Sequence, residues 1–239
     1  MLVVDFDGVV CDALAECALV TWLGAEGVAR WNSGAGVLRR VPASFVRRFR
    51  KVRDYSRVLD HFVVAHLPYA DWVRGRKDFD RIFRTLPAGY VSDFTRAASA
   101  ARGRLRTEEP DFWLGLHTLY PGIAPLLLGQ AGKTMIVTAK DERSVWDILR
   151  RHGLDGTVAE VIGECGQKAI AVRDLCRRHG ISPADTTFID DNLANVRGVA
   201  AVGVRAMWAE WGYHTPEDMA NADRLGVARL PAVPAGLDL

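Results

Sequence analysis

The sequence predicts an α/β fold, a doubly wound parallel sheet interrupted after its first strand by a long helical insertion. Three observations lead there. An apolar run at the amino terminus, Leu2 to Val4, stops at Asp5-Phe6-Asp7-Gly8, the pattern of a strand buried on both faces that ends in a polar turn. From Tyr120-Pro121-Gly122 onward, short apolar runs alternate with helical periods at the loop lengths of βαβ units. Between these parts, residues 13–117 show helical spacing and little strand pattern. The opening run has no local partner, so it must join the later sheet, and the middle of the chain becomes an insertion.

The elements follow in order. After Asp12, which reads as an N-cap, helical spacing runs through Trp22, and a Gly-rich break spans Gly24 to Gly36. Pro42 opens a long amphipathic helix. Its apolar face carries Phe45, Phe49, Val52, Leu59, Phe62 and Val63, while Arg47, Arg48, Arg50, Lys51 and Arg53 lie mostly elsewhere. Shorter helical patterns run from Phe79 to Leu86, Gly89 to Ala101 and Asp111 to Leu119. Strands are expected at Thr134 to Thr138, Val158 to Ile162, Thr186 to Ile189 and Val204 to Trp208. The helices between them begin at Asp141, Gln167 and Leu193; the first two end at Gly153 and Gly180, and the third near Ala201.

Composition narrows the class. With 239 residues, 49% hydrophobic and 25% charged, the chain has room for one large domain or a domain with an insertion. Its four cysteines form no CxxC pair, and no His/Cys cluster has zinc spacing, which points to a reducing, cytoplasmic setting. No basic segment precedes the short amino-terminal apolar run, and no run approaches about 20 apolar residues, so neither export nor a membrane span is expected. The net charge of +2 hides an asymmetry: residues 12–117 hold 18 Lys and Arg against 12 Asp and Glu, and the remainder 13 against 17. Solvated helix faces account for this; the sharper reading is a surface that attracts an anionic substrate. Nucleic acid is not expected, because the basic helices also need their aromatics for packing.

Ligand sites of doubly wound sheets lie at the carboxyl ends of the strands. Those ends carry Asp5 and Asp7, then Thr138, then Asp190 and Asp191, with Lys168 opening the helix after the strand that ends near Gly163. Carboxylates at the mouth of an apolar strand need compensation. A hard cation such as Mg²⁺ supplies it, with Asp5, Asp7, Asp190 and Asp191 as candidate ligands; whether Asp190 binds directly or behind another group stays open. With charge neutralised, Asp5 can attack a phosphoryl group and form an aspartyl-phosphate. Asp7 is placed to protonate the leaving oxygen and then to take a proton from water. Thr138, Ala139 and Lys168 can bind the phosphoryl oxygens, and Lys168 also offsets the nucleophile's charge, with Lys140 an alternative cation.

These residues, taken together, make the chain resemble the haloacid dehalogenase superfamily in its phosphatase-like branch. Asp5-Phe6-Asp7-Gly8-Val9-Val10-Cys11-Asp12 matches that family's first motif. Thr138 and Lys168 match its second and third, and Asp190-Asp191 its fourth, with Asn195 where a last acid would fall. Tyr120-Pro121-Gly122 resembles the re-entry into the core, and Trp211-Gly212-Tyr213 the loop after the last core strand. The resemblance implies a core of residues 1–12 and 118–239, a helical cap of residues 13–117, and Mg²⁺-dependent hydrolysis of a small phosphorylated metabolite by a monomer or homodimer. A phosphomutase of the same fold and a non-catalytic phosphometabolite-binding or regulatory module are the alternatives. Three departures limit what the resemblance implies: Val9 stands where Thr is usual, removing a hydroxyl near the turn; Ala139 stands where Asn is common, leaving a contact to the nucleophile or substrate missing or supplied by Lys140; and no K-P-x-P run follows Lys168, which weakens any transfer of substrate.

Other features carry less. Gly129 to Thr134 resembles a P-loop but lacks its first glycine and precedes a strand. Among the histidines only His214 falls beside the site segments, and Trp72, Tyr55 and Tyr69 read as core.

Overall fold

The computed structural model describes residues 1–26 and 31–234; the 27–30 part of the expected Gly-rich break lies outside the described residues. The chain divides into two compact units, Met1–Asp12 with Thr118–Leu239, and Ala13–His117.

The first unit is built on β1 (Leu2–Val4), whose side chains are all buried. It pairs in parallel with β4 (Thr134–Val137) on one side and β6 (Thr187–Asp190) on the other, with Leu2 opposite both Thr134 and Thr187. With β5 (Val158–Ile162), β7 (Arg205–Ala209) and β8 (Arg229–Leu230) the order is β5-β4-β1-β6-β7-β8, all parallel. The chain winds outward from β1 to β5, then returns to β6. That reversal creates a switch point at the carboxyl ends of β1, β4 and β6, where such sheets hold ligands. The helices α7 (Ile123–Gly129), α8 (Glu142–Arg151), α9 (Lys168–His179), α10 (Leu193–Ala200) and α11 (Pro216–Leu225) complete the unit.

Two features of this unit were not anticipated. β8 extends the sheet beyond β7, so the loop at Trp211 does not follow the last strand. In addition, β2 (Cys11–Asp12) pairs antiparallel with β3 (Thr118–Leu119), the two points where the chain leaves and re-enters the unit. Asp12 consequently lies in a strand rather than serving as an N-cap; α1 begins at Leu14, and the Asp12 carboxylate accepts the Tyr213 hydroxyl at 2.6 Å.

Among its described residues the second unit holds helices and no strand: α1 (Leu14–Glu26), α2 (Gly34–Leu38), α3 (Ala43–Tyr55), α4 (Arg76–Arg84), α5 (Ala88–Glu108) and α6 (Pro110–Leu114), with 3-10 turns at Leu59–His66 and Ala70–Trp72. The expected single helix through Val63 breaks at Ser56, whose backbone is extended and whose hydroxyl donates back to Val52 O. Both halves still bury the anticipated face, because Phe45, Phe49, Val52, Phe62 and Val63 meet in one core. α5 runs past Gly103, where the sequence suggested a stop. A helical glycine costs about 1 kcal/mol relative to Ala, and burial of Leu105 with the paired contact of Arg102 to buried Glu16 offsets it. Tyr55 is buried and Tyr69 partly so, but Trp72 is 74% exposed and does not belong to the core. No described helix is long and apolar enough to cross a membrane.

Candidate active site

The turn after β1 is tight. Val10 N donates to Phe6 O and Gly8 N to Cys11 O, both at 2.9 Å, and Gly8 sits at φ +94°. A Cβ there would lie 2.1 Å from Asp191 Oδ2, and one on Gly212 would lie 2.4 Å from Asp191 Cβ. Two glycines therefore make room for Asp191 between the β1 and β7 loops. Its Oδ2 accepts Tyr213 N at 2.7 Å, and its carbonyl accepts the Trp208 indole at 2.7 Å.

Asp5 emerges from the end of β1 with Oδ1 accepting Phe6 N at 2.7 Å. Lys168, at the first turn of α9, is 6% exposed and places Nζ 2.7 Å from Asp5 Oδ2 and 2.8 Å from Asp190 Oδ2. Asp190 is wholly buried. Besides Lys168 it accepts Asn192 N at 2.7 Å and the Asn195 amide at 3.0 Å. Carboxylate oxygens of Asp5, Asp190 and Asp191 lie within 4.8 Å of one another, the one such group among the described residues. Three oxygen donors at this spacing suit a hard divalent cation.

Electrostatics follow from burial. Desolvation pushes the Asp5 carboxyl up, Lys168 pulls it back and Asp190 adds to the rise, leaving it at about 6. Burial works against the Lys168 ammonium, but the charges and hydrogen bonds of Asp190 and Asp5 outweigh it and hold its pKa above the ordinary lysine value. An ammonium shared by two buried acids is thus a fixed positive charge.

Asp7 is set apart from the three-acid group. Lys140 Nζ lies 3.2 and 3.4 Å from its two carboxylate oxygens. Thr138 is buried directly after β4, its backbone held by Ile162 O and Cys165 N, and its hydroxyl accepts Lys140 N at 3.2 Å. Ala139 is exposed beside it. His214 packs against Trp208 at 5.2 Å between ring centroids and donates from Nε2 to Glu210 O, so it is built into the post-β7 loop.

The sequence offers Lys140 as an alternative cation without pairing it to Asp7, and gives no sign that Tyr213 partners both Asp12 and Asp191. Asn195 stands where the family's last acid would fall, and its amide donates to Asp190. Of these contacts, the one from Tyr213 N to Asp191 runs through the backbone and leaves no residue-type signal.

A model of the haloacid dehalogenase-like hydrolase family matches residues 1–203. A curated phosphoglycolate phosphatase of Vibrio vulnificus is 28% identical over 116 residues, covering 45% of this chain and 51% of that protein; the chain spans about half the length of the curated relatives it matches. A solved structure described as a predicted phosphoglycolate phosphatase, from Haemophilus somnus, is similar with a TM-score of 0.63 at 18% identity, covering 98% of this chain and 94% of that one. A haloacid dehalogenase-like hydrolase of Streptococcus pneumoniae gives 0.59 at 15%, over 92% and 89%. At those identities the structures speak to fold alone. The chain belongs to the haloacid dehalogenase-like hydrolase family.

Proposed function

We propose that this chain is a Mg²⁺-dependent phosphomonoester hydrolase working through an aspartyl-phosphate at Asp5. The observation that carries the reading is the bridge of Lys168 between Asp5 and Asp190, beside a three-acid group at the switch point of the sheet. Asp5 and Asp191 would hold the cation, with Asp190 of the same group chiefly engaged in orienting Lys168. When bound, the cation offsets the charge of the substrate phosphate and of the acids around it.

The chain's own groups then divide the work. An Asp5 oxygen attacks phosphorus, the bond from phosphorus to the leaving oxygen breaks, and Asp7 gives that oxygen its proton. Water attacks the aspartyl-phosphate in the second step, Asp7 takes the proton, and phosphate leaves with Asp5 restored. The Thr138 hydroxyl, the Ala139 main chain and Lys168 bind the phosphoryl oxygens throughout. The inserted unit acts as the cap that selects substrate and excludes water, and its basic balance suits an anionic metabolite. The setting is cytoplasmic, and neither nucleic acid nor membrane takes part.

Phosphate release from a panel of phosphorylated metabolites, with Mg²⁺ and with EDTA, tests this. Phosphoglycolate belongs in the panel because the curated relatives carry its name, alongside sugar phosphates and nucleotides. Release that needs Mg²⁺ and disappears in folded Asp5→Asn is expected; full activity in that variant contradicts the mechanism.

A further inference from the structure

The candidate site contains four acids, yet only three share a cation-sized space. The fourth, Asp7, is two residues from Asp5 and is held by a second ammonium, Lys140, whose side chain is only 8% exposed. Free in that setting, a short-chain carboxylate would be drawn to any divalent cation bound by its neighbours. A carboxylate bound to a doubly charged cation is harder to protonate than one paired with a single ammonium.

The segment bearing Lys140 is fixed from a separate part of the chain. Its N–H donates to Thr138 Oγ1 at 3.2 Å. Its carbonyl accepts Glu164 N at 3.0 Å, while Cys165 N donates to Thr138 O at 2.9 Å. Glu164 adopts φ +52°, the one positive φ outside glycine among the described residues, a conformation that costs an L side chain about 1 kcal/mol or more. Gly163 approaches so closely that a Cβ there would lie 2.9 Å from Lys140 O and 2.5 Å from Glu142 N. The loop between β5 and α9 thus clamps the turn after β4.

We propose that Lys140 is a positioning residue: its ammonium tethers the Asp7 carboxylate away from Asp5, Asp190 and Asp191, reserving it for proton transfer at the leaving oxygen. The proposal rests on the hydrolase reading for its kinetic consequence. Its consequence for cation binding stands without it.

The experiment is a double-mutant cycle of Lys140→Met and Asp7→Asn, with Lys140→Arg as the conservative variant and Gly163→Ala as a route to the same tether from the other loop. Mn²⁺ binding, followed by electron paramagnetic resonance, is the readout that needs no turnover. Lys140→Met is expected to bind Mn²⁺ about tenfold more tightly, since it frees a carboxylate beside the cation. In the Asp7→Asn background the same change has a much smaller effect. For turnover, general acid–base catalysis contributes about 10²–10⁴-fold, so Lys140→Met should lower kcat on an alkyl phosphomonoester by about tenfold or more with KM little changed. The loss is smaller for p-nitrophenyl phosphate, whose leaving group needs no proton, and Lys140→Arg recovers most of it. A raised KM with unchanged kcat would make Lys140 a direct substrate contact and overturn the proposal. Mn²⁺ affinity unaltered by Lys140→Met, or altered equally in the Asp7→Asn background, would also overturn it. Absence of phosphate release from wild type would defeat the hydrolase reading and leave the Mn²⁺ result to decide on the tether.

Discussion

Replacing Lys168 by Met removes the ammonium that two buried acids share. The side chain is nearly isosteric, so packing around α9 changes little and the perturbation is electrostatic. Nζ lies 2.7 Å from Asp5 and 2.8 Å from Asp190, whose side chains are 12% and 0% exposed. Breaking a buried pair by removing one partner costs about 3–5 kcal/mol. The cost depends on pH in a definite direction. Burial already lifts the Asp5 carboxyl from its ordinary 3.8 to about 6 against the pull of Lys168, and without Lys168 it rises further. A carboxyl whose folded-state pKa exceeds its unfolded value favours the folded protein at low pH, and that stability is lost as pH rises through the folded value. Urea denaturation of wild type and Lys168→Met in EDTA at pH 5 and pH 8 reads this. A destabilisation of about 3–5 kcal/mol at pH 8, clearly smaller at pH 5 where Asp5 carries a proton, is expected. An equal loss at both values, or almost none at pH 8, would refute the shared-ammonium argument.

Further outcomes follow from the same geometry. Gly8→Ala forces a Cβ toward Asp191 at φ +94°; a loss of about 1–3 kcal/mol in thermal denaturation and weaker Mn²⁺ binding should appear together. In the second unit, burial and the nearby Arg76 hold the His61 pKa below its ordinary 6.5. Its neutral form favours the fold, so that contribution is present above pH 6.5 and lost as pH falls through the folded value; lower amide protection factors around Leu59–His66 on acidification, after correction for the intrinsic pH dependence of exchange and absent in His61→Gln, check it. Asp191→Asn should weaken Mn²⁺ binding without altering the Lys168 bridge, measured by titration and by an unchanged pH profile of stability.

The parts of the fold legible in the sequence were those whose physics is local and repeated. Leu2 to Val4, followed at once by acids and glycine, identify the central strand, and the βαβ alternation after Tyr120 puts Thr138 and Asp190 at strand ends and Lys168 at the start of a helix. Two-residue strands carry no periodicity, so β2, β3 and β8 left no trace. Ser56 interrupts a helix while the apolar spacing continues on both sides, which made two elements read as one. Residue type puts Trp72 in the core but says nothing about which way a short 3-10 turn faces. The motif residues were visible, but not how they pair: that Lys140 rather than Lys168 meets Asp7 depends on the loop between β5 and α9, which is distant in sequence.

One carboxylate, that of Asp5, carries the phosphoryl group in the proposed reaction, and chemical trapping reads it out. Enzyme mixed with substrate and Mg²⁺, quenched during turnover and reduced with borohydride, converts an aspartyl-phosphate to homoserine, which peptide mass mapping locates. Homoserine is expected at position 5 and at no other aspartate. Substrate hydrolysis with residue 5 recovered intact as aspartate, under conditions where a reference aspartyl-phosphate is reduced, would contradict it.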